Sequence, residues 1–182
     1  DETIQWTARF DRKTVVMTDD QWKTLELSWS GGTTNPEPAN WSVNGFDDSA
    51  WSAANIPPDP YYSWVDISYP YDPDWLSSTG RATGHLTSEV WIARLEFTID
   101  GDVAGDGTLQ WNVDNWASIW INGQQLTNHS GTWSTVITTT VPQAFLQSGT
   151  NTIAVKVFQD GNTNTWSVNP TFFQAVLSIP TE

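Results

Sequence analysis

Between Glu89 and Ile99 the chain reads as a strand, with strict apolar–polar alternation from Ala93 onward, and this constrains the fold more than any other feature of the chain. Trp91, Ala93, Leu95, Phe97 and Ile99 fall on one side, with Arg94, Glu96 and Thr98 on the other. A period of two belongs to a strand with one buried face, because successive side chains point to opposite sides of a pleated backbone. Thr152 to Phe158 repeats the pattern, with Ile153, Val155 and Val157 facing in and Lys156 facing out. Near the end, Phe173, Ala175, Leu177 and Ile179 form one face, and Gln174 and Ser178 the other. Further strands are predicted at Thr3 to Phe10, Thr14 to Thr18, Thr24 to Trp29, Leu109 to Val113, Ala117 to Ile121 and Trp133 to Thr140. No long segment carries a helical period. Many short strands separated by Gly, Asn, Asp and Pro clusters predict an all-β sandwich or barrel.

The chain has 182 residues, enough for one hydrophobic core and hardly enough for two. One domain over 1–182 is therefore expected, with residues 1–40 adding strands or an extension that reaches a neighbouring subunit. Residues 31 to 84 break the pattern. They hold Pro57-Pro58-Asp59-Pro60, the aromatic run Tyr61, Tyr62 and Trp64, and then Tyr69, Tyr71 and Trp75. A long insertion of this kind is expected to be functional or to pack on itself.

Seven basic residues against 21 acidic ones leave a formal charge of −14. Binding to nucleic acid or to an anionic membrane surface needs the opposite sign. No apolar run is long enough for a membrane span. The chain contains no cysteine, which excludes a thiol nucleophile, a thiolate metal site and a disulfide. Few lysines, abundant Thr, Ser, Asn and Gly, and 13 tryptophans fit a secreted, cell-surface or virion-surface protein. A start at Asp1 in place of Met fits a processed N-terminus. Asn40-Trp41-Ser42 and Asn128-His129-Ser130 match the glycosylation pattern, which is short enough to recur by chance.

Four segments stand out in order: Gly45-Phe46-Asp47-Asp48-Ser49-Ala50-Trp51, Trp91 to Phe97, Asp114 to Gly123, and Gly149 to Val157. Together they resemble the galactose-binding-like jelly roll of carbohydrate-binding modules and glycosidase accessory domains. The resemblance covers about residues 45–179 and implies a jelly-roll β-sandwich carrying a long aromatic loop insertion. Asn122-Gly123 reads as a tight turn between strands. Asp47 and Asp48 are expected to organise a turn before Trp51 enters the core. The fold does not name a ligand, because function lives in sites grafted onto it.

For catalysis only His85 and His129 are available as imidazoles, and neither lies in a nucleophile or metal motif. The run Asn128 to Gly131 around His129 reads as a solvated hairpin loop. Enzymatic activity is not expected. Sugar recognition is better supplied, since aromatic rings offer flat platforms to the C–H face of a pyranose and neighbouring polar groups orient its hydroxyls. The candidate ligand contacts are Tyr61, Tyr62, Trp64, Tyr69, Tyr71, Trp75, Asn115, Trp116 and Trp166. Each loop ring could equally pin its loop to the sandwich, and Trp116 could fill the core at a strand bend. Trp6, Trp22, Trp29, Trp51, Trp91, Trp111 and Trp120 lie on strand patterns and read as core. Asp100, Asp102 and Asp106, clustered around glycines, offer oxygen ligands for a structural calcium or form a solvated acidic turn. The expected function is a non-catalytic extracellular module that binds a glycan or surface receptor. The alternative is a structural subunit of a virion, surface layer or filament, with identical subunits as partners and the aromatics buried between them.

Overall fold

The computed structural model describes residues 12–29, 35–56, 67, 73–76, 89–130, 134–158 and 172–182. Its strands, in chain order, are β1 (Arg12–Met17), β2 (Lys23–Trp29), β3 (Ser52–Ala53), β4 (Glu89–Ile99) and β5 (Gly107–Asp114). Then follow β6 (Trp116–Ile121), β7 (Gln124–Ser130), β8 (Ile137–Val141), β9 (Gly149–Phe158) and β10 (Phe172–Thr181). They form a four-stranded sheet, ordered β1-β10-β5-β8, and a six-stranded sheet, ordered β3-β2-β4-β9-β6-β7. All strand pairs within the sheets are antiparallel. The predicted β-sandwich is the observed architecture.

The core lies between the sheets and is assembled by the alternation already visible in the sequence. Trp91, Ala93 and Ile99 of β4, Ala117, Ile119 and Ile121 of β6, and Ile153, Val155 and Val157 of β9 face Leu109, Trp111 and Val113 of β5 and Phe173, Ala175, Leu177 and Ile179 of β10. Each Val, Leu, Ile or Phe among them taken fully out of water contributes about 1.5–3 kcal/mol, so this interface dominates the stability. The indole N–H groups inside are partly satisfied: Trp22 donates to Met17 O and Trp111 to Thr139 Oγ1, both at 3.0 Å. Trp91 Nε1 finds no partner among the described residues.

Two layers lie outside the sandwich. On the outer face of the six-stranded sheet, residues 35–56 carry Trp41, Phe46 and Trp51 onto Leu27, Ile92 and Ala154, a second apolar cluster. Trp51 is therefore buried, as expected, but against the back of the sheet. Beneath this cover Arg94 is buried although it lies on the outward side of β4. Its guanidinium donates to Val43 O and Phe46 O, both at 3.1 Å, pairs with Asp48 and Glu96, and sits 5.6 Å from the Phe46 ring centroid. On the four-stranded sheet, the Gln174 amide accepts from Ile67 N at 3.1 Å and donates to Pro73 O at 2.7 Å. Part of the 31–84 insertion thus packs on the outer side of β10, which explains why β10 is buried on both faces.

Several sequence expectations change. The segment around His129 is not a hairpin loop but lies in β7, an edge strand paired with β6. Its polar side chains are exposed to varying degrees on both faces, so no alternation marks it. The strand predicted at Trp133 to Thr140 starts later, at Ile137. The strand expected at Thr3 to Phe10 lies outside the described residues, as does Trp6. β1 and β2 pair within the chain, with β10 and β4.

Candidate functional site

Strand register lays out the candidate site as a grid on the outer face of the six-stranded sheet. Phe158 of β9 is opposite Val90 of β4 on one side and Trp116 of β6 on the other. Two residues along, Lys156 stands between Ile92 and Ser118; two further, Ala154 stands between Arg94 and Trp120. Residues 35–56 cover the last of these rows, and Trp41 meets Trp120 edge-on with ring centroids 5.3 Å apart. The first row remains open. Trp116 keeps 37% and Phe158 41% of its surface accessible, among the most exposed large apolar residues described.

Glu37, Val90, Trp116, Ser118, Trp120, Lys156 and Phe158 line the resulting cleft, whose volume is about 600 Å³. That lies within the range of small-molecule sites, about 300–1,000 Å³. Polar groups meet the rings at defined positions. Lys156 Nζ is 2.5 Å from Glu37 Oε2, and Trp41 Nε1 donates to Glu37 Oε1 at 2.9 Å. Partial burial raises the Glu37 pKa, but the hydrogen bonds from Lys156 and Trp41 and the ammonium charge outweigh it and leave the carboxyl below its ordinary value. On the far side, Asn128 Oδ1 accepts from Trp116 Nε1 at 2.5 Å and from Ser118 Oγ at 3.0 Å, which fixes the indole on the sheet.

Of the residues expected to contact ligand, Trp116 lines the cleft and Asn115 precedes it. The Asn115 Oδ1 is buried without a partner among the described residues. Its neighbour Asp114 is buried at the end of β5, and desolvation, countered in part by a hydrogen bond from Asn115, raises its pKa to about 6. Trp75 is corrected: it is only 5% exposed and packs edge-on to Phe172, so its ring has no free face for stacking. Tyr61, Tyr62, Trp64, Tyr69, Tyr71 and Trp166 lie outside the described residues. Trp120 was expected in the sandwich core and instead walls the cleft on the outer face. Phe158 and Lys156 were missed as site residues. Their signal was present in the strand period, since residues alternating with Ile153, Val155 and Val157 must face away from the core.

The three aspartates expected as possible calcium ligands, Asp100, Asp102 and Asp106, do not gather into one three-carboxylate group among the described residues. Asp102 Oδ1 accepts from Ser148 Oγ at 3.1 Å, and Asp106 Oδ1 from Gln143 N at 2.8 Å, so both carboxylates already tie loops together. No group of three or more acidic, His or Cys side chains able to hold a metal occurs among the described residues.

The family model described as the β-galactosidase second all-β domain matches residues 46–163. Among solved structures, a glycosyl hydrolase family 2 member from Bacteroides cellulosilyticus superposes with a TM-score of 0.57 at 22% identity, over 91% of this chain and 20% of that one. Bacteroides uniformis β-glucuronidase 2, bound covalently to cyclophellitol-6-carboxylate aziridine, gives 0.55 at 19% identity, over 92% of this chain and 18% of its own. A calcium-binding mutant of the same Bacteroides uniformis enzyme gives 0.51 at 18% identity, over 91% and 18%. At these identities the likeness is one of fold, and the chain spans about a fifth of the length of these structures. No curated protein sequence matches the chain.

Proposed function

The chain belongs to the family of β-galactosidase second all-β domains, and on that premise we propose that it is a non-catalytic accessory domain of a glycoside hydrolase that binds carbohydrate through the cleft of Trp116 and Phe158. The single observation behind this reading is the cross-strand pairing of those two exposed rings on one open sheet face. Directly opposed residues of an antiparallel pair hold their Cβ atoms about 4.5–5.5 Å apart. Two such rings make a rigid apolar surface of sugar size, and Lys156, Glu37 and Ser118 beside them supply donors and acceptors for hydroxyls.

The neighbours in fold are described as glycosidases, which agrees with a carbohydrate partner. The reading includes an extracellular location, which the scarcity of lysine and the abundance of Thr, Ser, Asn and Gly support. Tyr61, Tyr62, Trp64, Tyr69, Tyr71 and Trp166 belong to the proposal as sequence-based candidates for additional contacts. Calcium is named for one of those neighbours; in this chain Asp100, Asp102 and Asp106 do not gather into one group among the described residues, and no calcium-dependent step is assigned to them.

Affinity electrophoresis of the chain through gels containing soluble polysaccharides tests the reading. Retardation that Trp116→Ala and Phe158→Ala each weaken about tenfold supports it, since truncating a central aromatic anchor removes most of a small site's affinity. Retardation unchanged in both variants places binding elsewhere and refutes the cleft.

A further inference from the structure

Resting on that carbohydrate reading, we infer that the cleft selects uncharged pyranosides and rejects uronate-bearing glycans. The argument turns on how its charges are matched. Lys156 is the only base among the described residues lining the cleft, and its ammonium is already paired with Glu37. Glu37 in turn is held by Trp41, so the carboxylate is fixed where it neutralises Lys156. Arg94, the next cation along the grid, lies buried under residues 43–48, and its two terminal nitrogens are already engaged by Asp48, Glu96 and two carbonyls. An arriving carboxylate would lose water without gaining an unmatched cation, and a group desolvated without a partner weakens binding.

The whole-chain charge of −14 adds repulsion of the same sign. A neutral sugar meets none of these penalties. The partly exposed Glu37–Lys156 pair keeps both a donor and an acceptor available to hydroxyls, while Val90, Phe158 and Trp116 form one row across three strands for a C–H face. Charge at this site is thus balanced in favour of hydroxyl recognition.

The test uses the 182-residue chain in gels of galactomannan, mixed-linkage β-glucan or arabinoxylan, which are neutral, and of polygalacturonate, which is not. Salt is held at about 150 mM, where the Debye length of about 8 Å suppresses general repulsion. The expected result is retardation in at least one neutral gel, at least about tenfold weaker in polygalacturonate. Glu37→Gln keeps an oxygen for Trp41 but leaves Lys156 unpaired, and it should gain retardation by polygalacturonate. Glu37→Ala gives a second version of the same experiment if the Gln variant lacks the parent's near-ultraviolet circular dichroism. Equal or stronger retention of the parent by polygalacturonate overturns the selectivity and leaves the carbohydrate reading standing. Retention in no gel overturns both. A neutral-selective parent whose Glu37 variants gain nothing overturns the assignment of selectivity to the ion pair.

Discussion

Asn122 Nδ2 donates to Asn151 Oδ1 at 2.8 Å, one of the bonds that join the β6–β7 turn to the first residues of β9. Asn122 also donates to Phe145 O at 2.8 Å and accepts from Thr152 N at 2.7 Å. Asn151, fully buried, accepts from Gln147 N and donates to Gln147 O and Gly149 O. Together the two amides bond backbone groups of the turn, of the segment before β9 and of β9 itself. Asn151→Ala strands several of them and should cost about 2–4 kcal/mol, read from urea unfolding. A loss below about 0.5 kcal/mol would show that the network carries no stability.

Gly123 completes that turn at a φ of 80°, and a Cβ there would lie 2.6 Å from Val43 Cγ1. Backbone strain and a steric clash therefore act together. Gly123→Ala should destabilise by about 2–3 kcal/mol. Adding Val43→Ala should recover part of the loss by removing the clash, leaving the strain of the left-handed backbone. Thermal melts of the two single variants and the double variant form the cycle that separates the two causes.

Arg94 is a buried cation whose partners all lie on one covering segment or on its own sheet. Arg94→Met leaves the carbonyls of Val43 and Phe46 and the Asp48 carboxylate without their donor. The expected cost is about 3–5 kcal/mol, the range for breaking a buried ion pair by removing one partner. Loosening of residues 35–56 should also expose Trp41 and Trp51, so the native-state tryptophan emission should shift to the red. A cost without that shift would place the damage elsewhere in the sheet.

Asp114 makes an opposite kind of prediction. Its folded pKa of about 6 lies above the ordinary 3.8 of the unfolded chain. Between these values the folded state binds the extra proton, so this group's contribution weakens stability as pH rises from about 4 to about 6 and is constant above. Two units correspond to roughly 2–3 kcal/mol. Asp114→Asn should flatten this part of the pH profile of urea stability and raise stability at neutral pH. An unchanged slope between pH 4 and 6 would mean that another group titrates there.

The sequence made the sandwich legible because most strands bury one face and declare it. The strand pattern at Glu89 to Ile99 predicts β4 to the residue. β7 escaped because an edge strand with exposure on both faces has nothing to alternate, and its Gln, Thr, Asn and Ser read as loop. The second cluster escaped for a different reason. Nothing local in Trp41, Trp51 or Trp120 says which of two apolar layers they join; only the folding of residues 35–56 over β4 and β9 decides it. The same applies to the site. Trp116 was identified from its motif, whereas Phe158, Lys156 and Glu37 converge only through strand register and the covering segment. Trp75, singled out for its aromatic surroundings, is instead packing on Phe172.

Strand β9 does two jobs at once: its odd-numbered residues from Ile153 to Val157 hold the sheets together, and its even-numbered residues Lys156 and Phe158 face the cleft. A slip of one position against β4 or β6 would exchange the two sets, putting a lysine into the interior and three aliphatic side chains into solvent. Recognition and correct assembly are therefore read from the same strand. Misregistered chains would lose both together, so, on the carbohydrate reading proposed above, sugar retention would report the properly assembled fraction of a preparation.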